Sequence, residues 1–301
     1  MRCAVALLVL AACGQSVSAV AIRTVPPPPL APGAIRLERA RCGPDALLMP
    51  AVLDGTLGWF VIDSGAFTNV VFEEFATRAK LTHVNNGERV GGGLGIPVAT
   101  VELKSFAVPG LPGVDLRNFL MLSTASSPLA RHACGVAGVI SPALLATHDL
   151  AVVVDFTSAQ LLRMPLDEVD AHLAAAGTYH FVAERTDSEY TAGIDVEIGA
   201  RKLRLMVDTG ACCTWVTTTS GVGRDLHPRS VARGNIGRLL GATPSRSARA
   251  LLRFGDVGRL LDVRLLTPDE NDARESGGLG ADALRDCTIA ILQTGMRGAC
   301  R

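Results

Sequence analysis

The sequence predicts a mainly β protein built from two similar halves. A short motif occurs twice: residues 63–66 read Asp-Ser-Gly-Ala and residues 208–211 read Asp-Thr-Gly-Ala. The same order of predicted elements surrounds both copies, and apolar runs of strand length far outnumber helical patterns. The chain has 301 residues, of which 48% are hydrophobic, so two sizeable cores can form.

Each motif follows an apolar triplet that reads as the second strand of a hairpin. Farther along, each half has an apolar segment rich in glycine, a short helix and a β-rich run. The matching segments are 51–55, 60–62, 135–138 and 151–156 in the first half, and 196–199, 205–207, 277–280 and 288–292 in the second. This repetition indicates an internal duplication.

These patterns divide the chain into five parts. A helix is expected between the halves because Pro165 precedes the helical pattern and Gly177 follows it. The parts are a signal peptide (1–12), a proline-rich tether (13–40), an N-terminal lobe (41–165), a connecting helix (166–177) and a C-terminal lobe (178–301).

A strand that ends in Asp-Ser/Thr-Gly places a carboxylate at a tight turn. Two carboxylates about 3 Å apart cannot both ionise cheaply, so they share one proton and act as base and acid without a metal. We assign these roles jointly to Asp63 and Asp208. The residues that support the turns are Ser64 and Thr209, whose hydroxyls would bond locally, and Gly65 and Gly210, whose amides would approach the carboxylates.

At these motifs the chain resembles the aspartic proteases. The Asp-Ser/Thr-Gly-Ala form is similar to that of the retropepsins, and two copies in one chain are similar to pepsin. The resemblance covers most of residues 45–295. It implies two acid-protease-like β lobes with an active-site cleft between them, peptide-bond hydrolysis, and apolar segments that brace the catalytic turns. It also implies a glycine-rich flap, for which the candidates are Gly91, Gly92 and Gly93, with a weaker counterpart at 234–241.

The fourth residue of each motif bears on pH dependence. Pepsin-like sites usually carry a hydroxyl there, which favours the charged carboxylate, but Ala66 and Ala211 have none. We therefore expect the pair to hold its shared proton to higher pH than in a pepsin, with a bell-shaped profile in the mildly acidic range.

A second function stays open: a lipid-anchored peptide-binding or scaffold protein with the same fold but without hydrolysis. Other site classes have less support. No His-x-x-x-His or Cys-x-x-Cys pattern indicates a metal, and we expect neither metal nor cofactor. His132 and Cys134 are weak candidates for nucleophilic chemistry. The formal net charge is zero, which does not support nucleic-acid binding. We expect a protein or peptide substrate and a monomer.

The N-terminus predicts export. Arg2 precedes an apolar stretch, residues 4–12, that is typical of a signal peptide and too short to span a bilayer. Residues 10–14 resemble a bacterial lipobox, which favours a lipid on Cys13, a membrane anchor and a cell-envelope lipoprotein. Cleavage after residues 17–19 would instead give a secreted or periplasmic protein. The prolines from 26 to 32 would form a semi-rigid tether.

Six cysteines lie beyond the leader and Cys13, and they suit an oxidising compartment. They are Cys42, Cys134, Cys212, Cys213, Cys287 and Cys300. The simplest pairing joins Cys42 to Cys134 and forms two bridges among the other four, and the alternative is that some are buried free thiols.

Overall fold

The computed structural model describes residues 29–39, 46–85, 87, 89–90, 96–123, 135–185, 191–238, 241–267 and 277–301. Among these residues strands far outnumber helices, so the protein is mainly β, as the sequence predicts. The predicted signal peptide and Cys13 lie outside the described residues. No helix within the described ranges is long and apolar enough to cross a membrane.

The elements are numbered in chain order. The strands up to the connecting helix are β1 (Ile35–Arg36), β2 (Glu38–Arg39), β3 (Leu47–Leu53), β4 (Thr56–Ile62), β5 (Val70–Phe72), β6 (His83–Val84), β7 (Arg89–Val90), β8 (Ile96–Glu102), β9 (Phe106–Ala107), β10 (Asn118–Leu122), β11 (Gly138–Ile140), β12 (Leu150–Asp155) and β13 (Gln160–Pro165). The later strands are β14 (Tyr179–Arg185), β15 (Ala192–Ile198), β16 (Arg201–Val207), β17 (Trp215–Thr217), β18 (Val231–Arg238), β19 (Gly241–Phe254), β20 (Val257–Leu266), β21 (Gly277–Leu279), β22 (Cys287–Leu292) and β23 (Gly295–Cys300).

The helices are short. The α-helices are α1 (Glu73–Arg78), α2 (Val169–Ala176), α3 (Gly221–Leu226) and α4 (Ala281–Leu284), and 3₁₀ turns cover Pro142–Leu144, Leu166–Glu168 and His227–Arg229. The stretch predicted as a connecting helix thus forms a 3₁₀ turn followed by α2. The chain leaves α2 at Gly177, where a Cβ atom would lie 2.3 Å from the carbonyl oxygen of Cys300. Only glycine fits so close to that backbone.

The strand that precedes each aspartate has the same neighbours in both halves. β4 runs parallel to β11, β11 is antiparallel to β5, and β5 is parallel to β10. In the second half β16 runs parallel to β21, β21 is antiparallel to β17, and β17 is parallel to β20. The order 4-11-5-10 therefore recurs as 16-21-17-20, so the repetition seen in the sequence extends to strand pairing.

Two sheets contain nearly all the strands. The ten-stranded sheet has the order β2-β3-β4-β11-β5-β10-β8-β6, with β7 on β8 and β9 on β3. The thirteen-stranded sheet has the order β1-β13-β12-β22-β23-β14-β15-β16-β21-β17-β20-β19-β18. The first six strands of this sheet join the two halves symmetrically. β12 of the first half pairs with β22 of the second half, and each lies beside its own hairpin partner, β13 or β23. α2 packs on these central strands through Val169 and Leu173.

The predicted tether, residues 13–40, is wrong in its last part. β1 pairs with β13, and Ile35 and Leu37 are buried in the main hydrophobic core. Gln160 also binds this segment, since its side chain accepts from the amide of Ala31 and donates to the carbonyl of Pro29. Burial of these two apolar side chains stabilises the docked segment, and the amide of Leu37 donates to the carbonyl of Ala159 at 2.8 Å.

Candidate active site

Asp63 and Asp208 occupy equivalent positions, directly after β4 and β16. Their exposed fractions are 1% and 0%. The amide of Asp63 donates to the carbonyl of Ile140 at 3.1 Å, and the amide of Asp208 donates to that of Leu279 at 3.0 Å. The parallel neighbours β11 and β21 thus hold the start of each aspartate turn in the same way.

The two carboxyl groups are close neighbours, and each motif glycine lies against the opposite aspartate. Asp63 Oδ1 accepts from the amide of Gly65 at 2.7 Å. Asp208 Oδ1 accepts from the amides of Gly210 at 3.1 Å and Ala211 at 2.9 Å. Neither Oδ2 atom has a hydrogen-bond partner among the residues that the structure describes. Two buried carboxylates so close together repel each other when both are ionised, which favours one proton on the pair.

The motif glycines lie against the opposite aspartate. A Cβ atom on Gly210 would lie 2.4 Å from Asp63 Cγ, and one on Gly65 would lie 2.9 Å from Asp208 Cγ. Either methyl group would push the carboxyl groups apart. The sequence indicated only that the glycine amides approach their own carboxylates, so this contact across the pair was missed.

The hydroxyls of Ser64 and Thr209 connect the two turns. Ser64 Oγ accepts from the amide of Thr209 at 3.1 Å and donates to the carbonyl of Val207 at 2.7 Å. Thr209 Oγ1 accepts from the amide of Ser64 at 3.0 Å and donates to the carbonyl of Ile62 at 2.9 Å. The expectation that these hydroxyls bond locally was wrong, because the turns face each other and each hydroxyl meets the backbone of the other motif.

Two further residues support the site, each six positions after an aspartate. Asn69 Oδ1 accepts from the amide of Ser141 at 3.0 Å. Thr214 Oγ1 accepts from the amide of Gly280 at 3.2 Å and donates to Asp282 Oδ1 at 2.8 Å. Both side chains are buried and tie the turn to the end of β11 or β21. The equal spacing was the signal that sequence reasoning overlooked.

Burial raises the pKa of both carboxyl groups. The pKa of Asp63 rises from 3.8 to about 6, chiefly because the buried group loses water, although hydrogen bonds oppose the shift. The pKa of Asp208 rises well above 3.8, first through burial and then through the neighbouring charge of Asp63. The direction is the one expected from the sequence, but the main cause is loss of solvent. The amide of Ala211 donates to Asp208 Oδ1, and this hydrogen bond favours the charged form of that carboxyl group.

Some proposed site residues lie outside the described part of the chain. These are Gly91, Gly92, Gly93, Cys13, His132 and Cys134. On either side of the three glycines, β7 and β8 pair, with Val90 opposite Ile96. The weaker counterpart, 234–241, belongs to the β18–β19 hairpin, in which Arg238 lies opposite Gly241. Across the ranges that the structure covers, no three His, Cys, Asp or Glu side chains are grouped to hold a metal ion.

The four cysteines that the structure describes form two disulfides. Cys212 pairs with Cys213, and Cys287 pairs with Cys300 across the β22–β23 hairpin. This confirms the prediction of two bridges among these four residues. Cys42 and Cys134 lie outside the described residues.

The comparisons with known proteins identify no family. No protein-family model matches the chain, and no curated protein matches it significantly. The functional argument therefore depends on the geometry and chemistry of the site itself.

Proposed function

We propose that the protein is an exported aspartic endopeptidase in which Asp63 and Asp208 activate a water molecule for peptide-bond hydrolysis. One observation carries this proposal: two buried aspartates, delivered by matching strands, face each other and are held by reciprocal hydrogen bonds between their turns. Raised pKa values at two buried carboxyl groups are typical of functional sites and support this proposal.

The chemistry follows from one shared proton. The ionised carboxylate takes a proton from water as the water oxygen attacks the peptide carbonyl carbon. The protonated carboxyl group donates its proton to the carbonyl oxygen, which gives a neutral tetrahedral diol. The carboxyl group that took the proton from water then protonates the amide nitrogen, while the other carboxylate takes a proton from a diol hydroxyl, and the C–N bond breaks to give the amine and the carboxylic acid. The coupled pair supplies both functions, so neither proton position belongs to one residue alone.

The proposed architecture is a pair of acid-protease-like β lobes with the active site in a cleft between them. The recurring strand order around β4 and β16 supports two equivalent lobes, and the symmetric pairing of β12 with β22 supports a shared base. The paired strands β7–β8 and β18–β19 would border the cleft. Since one chain supplies both aspartates, the enzyme would act as a monomer on an extended protein or peptide segment.

The proposed location is the bacterial cell envelope, with a lipid on Cys13 as the membrane anchor. The leader pattern supports export, and two disulfides favour an oxidising compartment. A mature protein that begins near residue 20 without lipid would instead be secreted or periplasmic. Mass spectrometry of the mature N-terminus distinguishes these outcomes.

A cleavage assay on a denatured protein substrate tests the proposed activity. Wild type should cleave at mildly acidic to neutral pH, and pepstatin should block cleavage. Asp63→Asn and Asp208→Asn should each abolish the reaction, and the double variant should be little worse than either, because the pair acts as a unit.

Asp167→Asn, at an exposed position, is the matched control and should keep wild-type activity. Full activity in either dyad variant would refute the proposal, and peptide binding without cleavage by wild type would favour the scaffold alternative.

A further inference from the structure

The Cys212–Cys213 disulfide lies at the end of the second aspartate turn. It joins adjacent residues, between Ala211 and Thr214. Ala211 donates its amide to Asp208 Oδ1, and its carbonyl accepts from Ala281 at 2.8 Å. The Thr214 amide donates to Asp282 Oδ1 at 2.7 Å. The disulfide thus sits between the two backbone anchors that hold the turn.

The first half makes the same turn without a disulfide. Phe67 and Thr68 occupy the positions that correspond to Cys212 and Cys213, and residues 63–72 have the same backbone assignment as residues 208–217. Asn69 also makes the amide contact that Thr214 makes in the second half. The bridge is therefore not needed to form this turn. A ring between neighbours also closes the shortest possible loop, so it restricts the unfolded chain little.

Neighbouring residues pack closely around the Cys212–Cys213 disulfide. Cys212 is 5% exposed and packs in a buried cluster with Ala211, Trp215 and Leu266. The backbone of Cys213 lies so close to Gly280 that a Cβ atom there would be 2.4 Å from the Cys213 carbonyl carbon. Reduction breaks the bond between the two sulfur atoms, so the separated thiols must repack against these close neighbours.

The two disulfides differ in access. Cys213 is partly exposed, whereas Cys287 and Cys300 are fully buried. Thiol–disulfide exchange requires that an attacking thiolate reach a sulfur atom. A reductant should therefore reach the adjacent pair first.

We propose that Cys212–Cys213 is a thiol–disulfide exchange site through which a dithiol reductant lowers the activity of the dyad. The effect on activity rests on the proposed function, whereas the exchange and its effect on the turn do not. One thiolate of the reductant attacks Cys213 Sγ, and the breaking S–S bond leaves its electron pair on Cys212. The second thiolate then forms the cyclic disulfide of the reductant and releases Cys213. The protein gains two electrons and two protons, and reoxidation reverses the step.

Differential alkylation, a cleavage assay and amide hydrogen exchange test this proposal on the native mature protein treated with graded dithiothreitol. Cys212 and Cys213 should become alkylated while Cys287 and Cys300 remain paired. Cleavage should fall by at least about tenfold and recover on reoxidation. Amides within residues 208–215 should exchange faster in the reduced protein. Unchanged cleavage and exchange in protein whose adjacent pair is reduced would overturn the proposal, as would earlier reduction of Cys287–Cys300.

Two double variants serve as controls. Cys212→Phe with Cys213→Thr introduces the residues of the first half, and Cys212→Ser with Cys213→Ser removes the bridge with minimal change in size. Neither should respond to dithiothreitol, and a wild-type response in either would refute the site. If the oxidised wild type cleaves nothing, the proposed protease function fails, and exchange at residues 208–215 still decides whether reduction alters the turn.

Discussion

Ser64 and Thr209 are hydrogen-bonded reciprocally, since the hydroxyl oxygen of each residue accepts a hydrogen bond from the backbone amide of the other. Each also donates to the carbonyl that precedes the opposite aspartate. All four bonds are buried, where an unpaired donor or acceptor is expensive. The two aspartate turns therefore behave as one unit, and a change at one turn should alter the other.

Thr209→Val tests this connection. Valine has nearly the shape of threonine but removes a donor and an acceptor, which leaves the Ser64 amide and the Ile62 carbonyl unpaired. We expect a loss of about 2–4 kcal/mol in the free energy of unfolding and a large fall in kcat/KM. Urea unfolding and the cleavage assay measure the two effects.

The matched controls are Thr209→Ser and Ser64→Thr, which keep a hydroxyl and exchange the residue types of the two motifs. Both should retain most of the stability and activity. Equal stability of Thr209→Val and Thr209→Ser would show that the hydroxyl bonds contribute little.

Gly210→Ala tests the contact between a motif glycine and the opposite aspartate. The added methyl group would lie 2.4 Å from Asp63 Cγ, so the carboxyl groups must move apart and cleavage should be lost. Gly258→Ala is the control, because nothing lies within 4 Å of the added atom there. Substantial cleavage by Gly210→Ala would mean that the pair tolerates a wider separation than the proposed chemistry requires.

Local patterns predicted much of this fold but little of the network around the site. Apolar triplets before the aspartates, and Pro165 and Gly177 around the connecting helix, act over a few residues and could be read directly. The bonds of Ser64 and Thr209 span 143 to 147 residues, and the bond from Ser141 to Asn69 spans 72. Local patterns do not indicate which backbone groups a turn will face after folding, so the hydrogen-bond partners of these side chains could not be predicted. The docking of Ile35 on β13 was missed for the same reason.

Asp63→Asn should stabilise the protein at neutral to mildly alkaline pH. The folded protein binds this proton more tightly than the unfolded chain, because the pKa of Asp63 is raised from 3.8 to about 6. Its contribution to stability is therefore complete below about pH 3.8 and is lost as the pH rises through about 6. An uncharged amide avoids that loss, so the gain above pH 6 should reach up to about 3 kcal/mol.

Thermal unfolding of wild type and Asp63→Asn across the pH range measures this gain. The difference in Tm should be small near pH 4 and grow as the pH rises. Asp167→Asn, which changes an exposed carboxylate, should show no such trend. A difference in Tm that does not depend on pH would argue against a raised pKa at Asp63.

The pH profile of kcat/KM should be bell-shaped and lie above the usual range of aspartate titration. Activity requires one proton on the pair, so the acid limb should fall near pH 6 and the alkaline limb higher, because burial raises the pKa of both carboxyl groups of the coupled pair. Ala66→Ser adds a hydroxyl beside the first carboxylate and should move the acid limb to lower pH. Because burial is the main cause of the raised pKa, we expect the acid limb to move by less than about one pH unit.

Cleavage of one peptide substrate by wild type and Ala66→Ser over the full pH range provides the measurement. An acid limb below about pH 4 in wild type would place the pKa of the pair near the ordinary aspartate value and contradict the conclusion that burial raises it. A movement larger than about one pH unit in Ala66→Ser would instead show that the fourth residue of the motif sets the pKa of the pair.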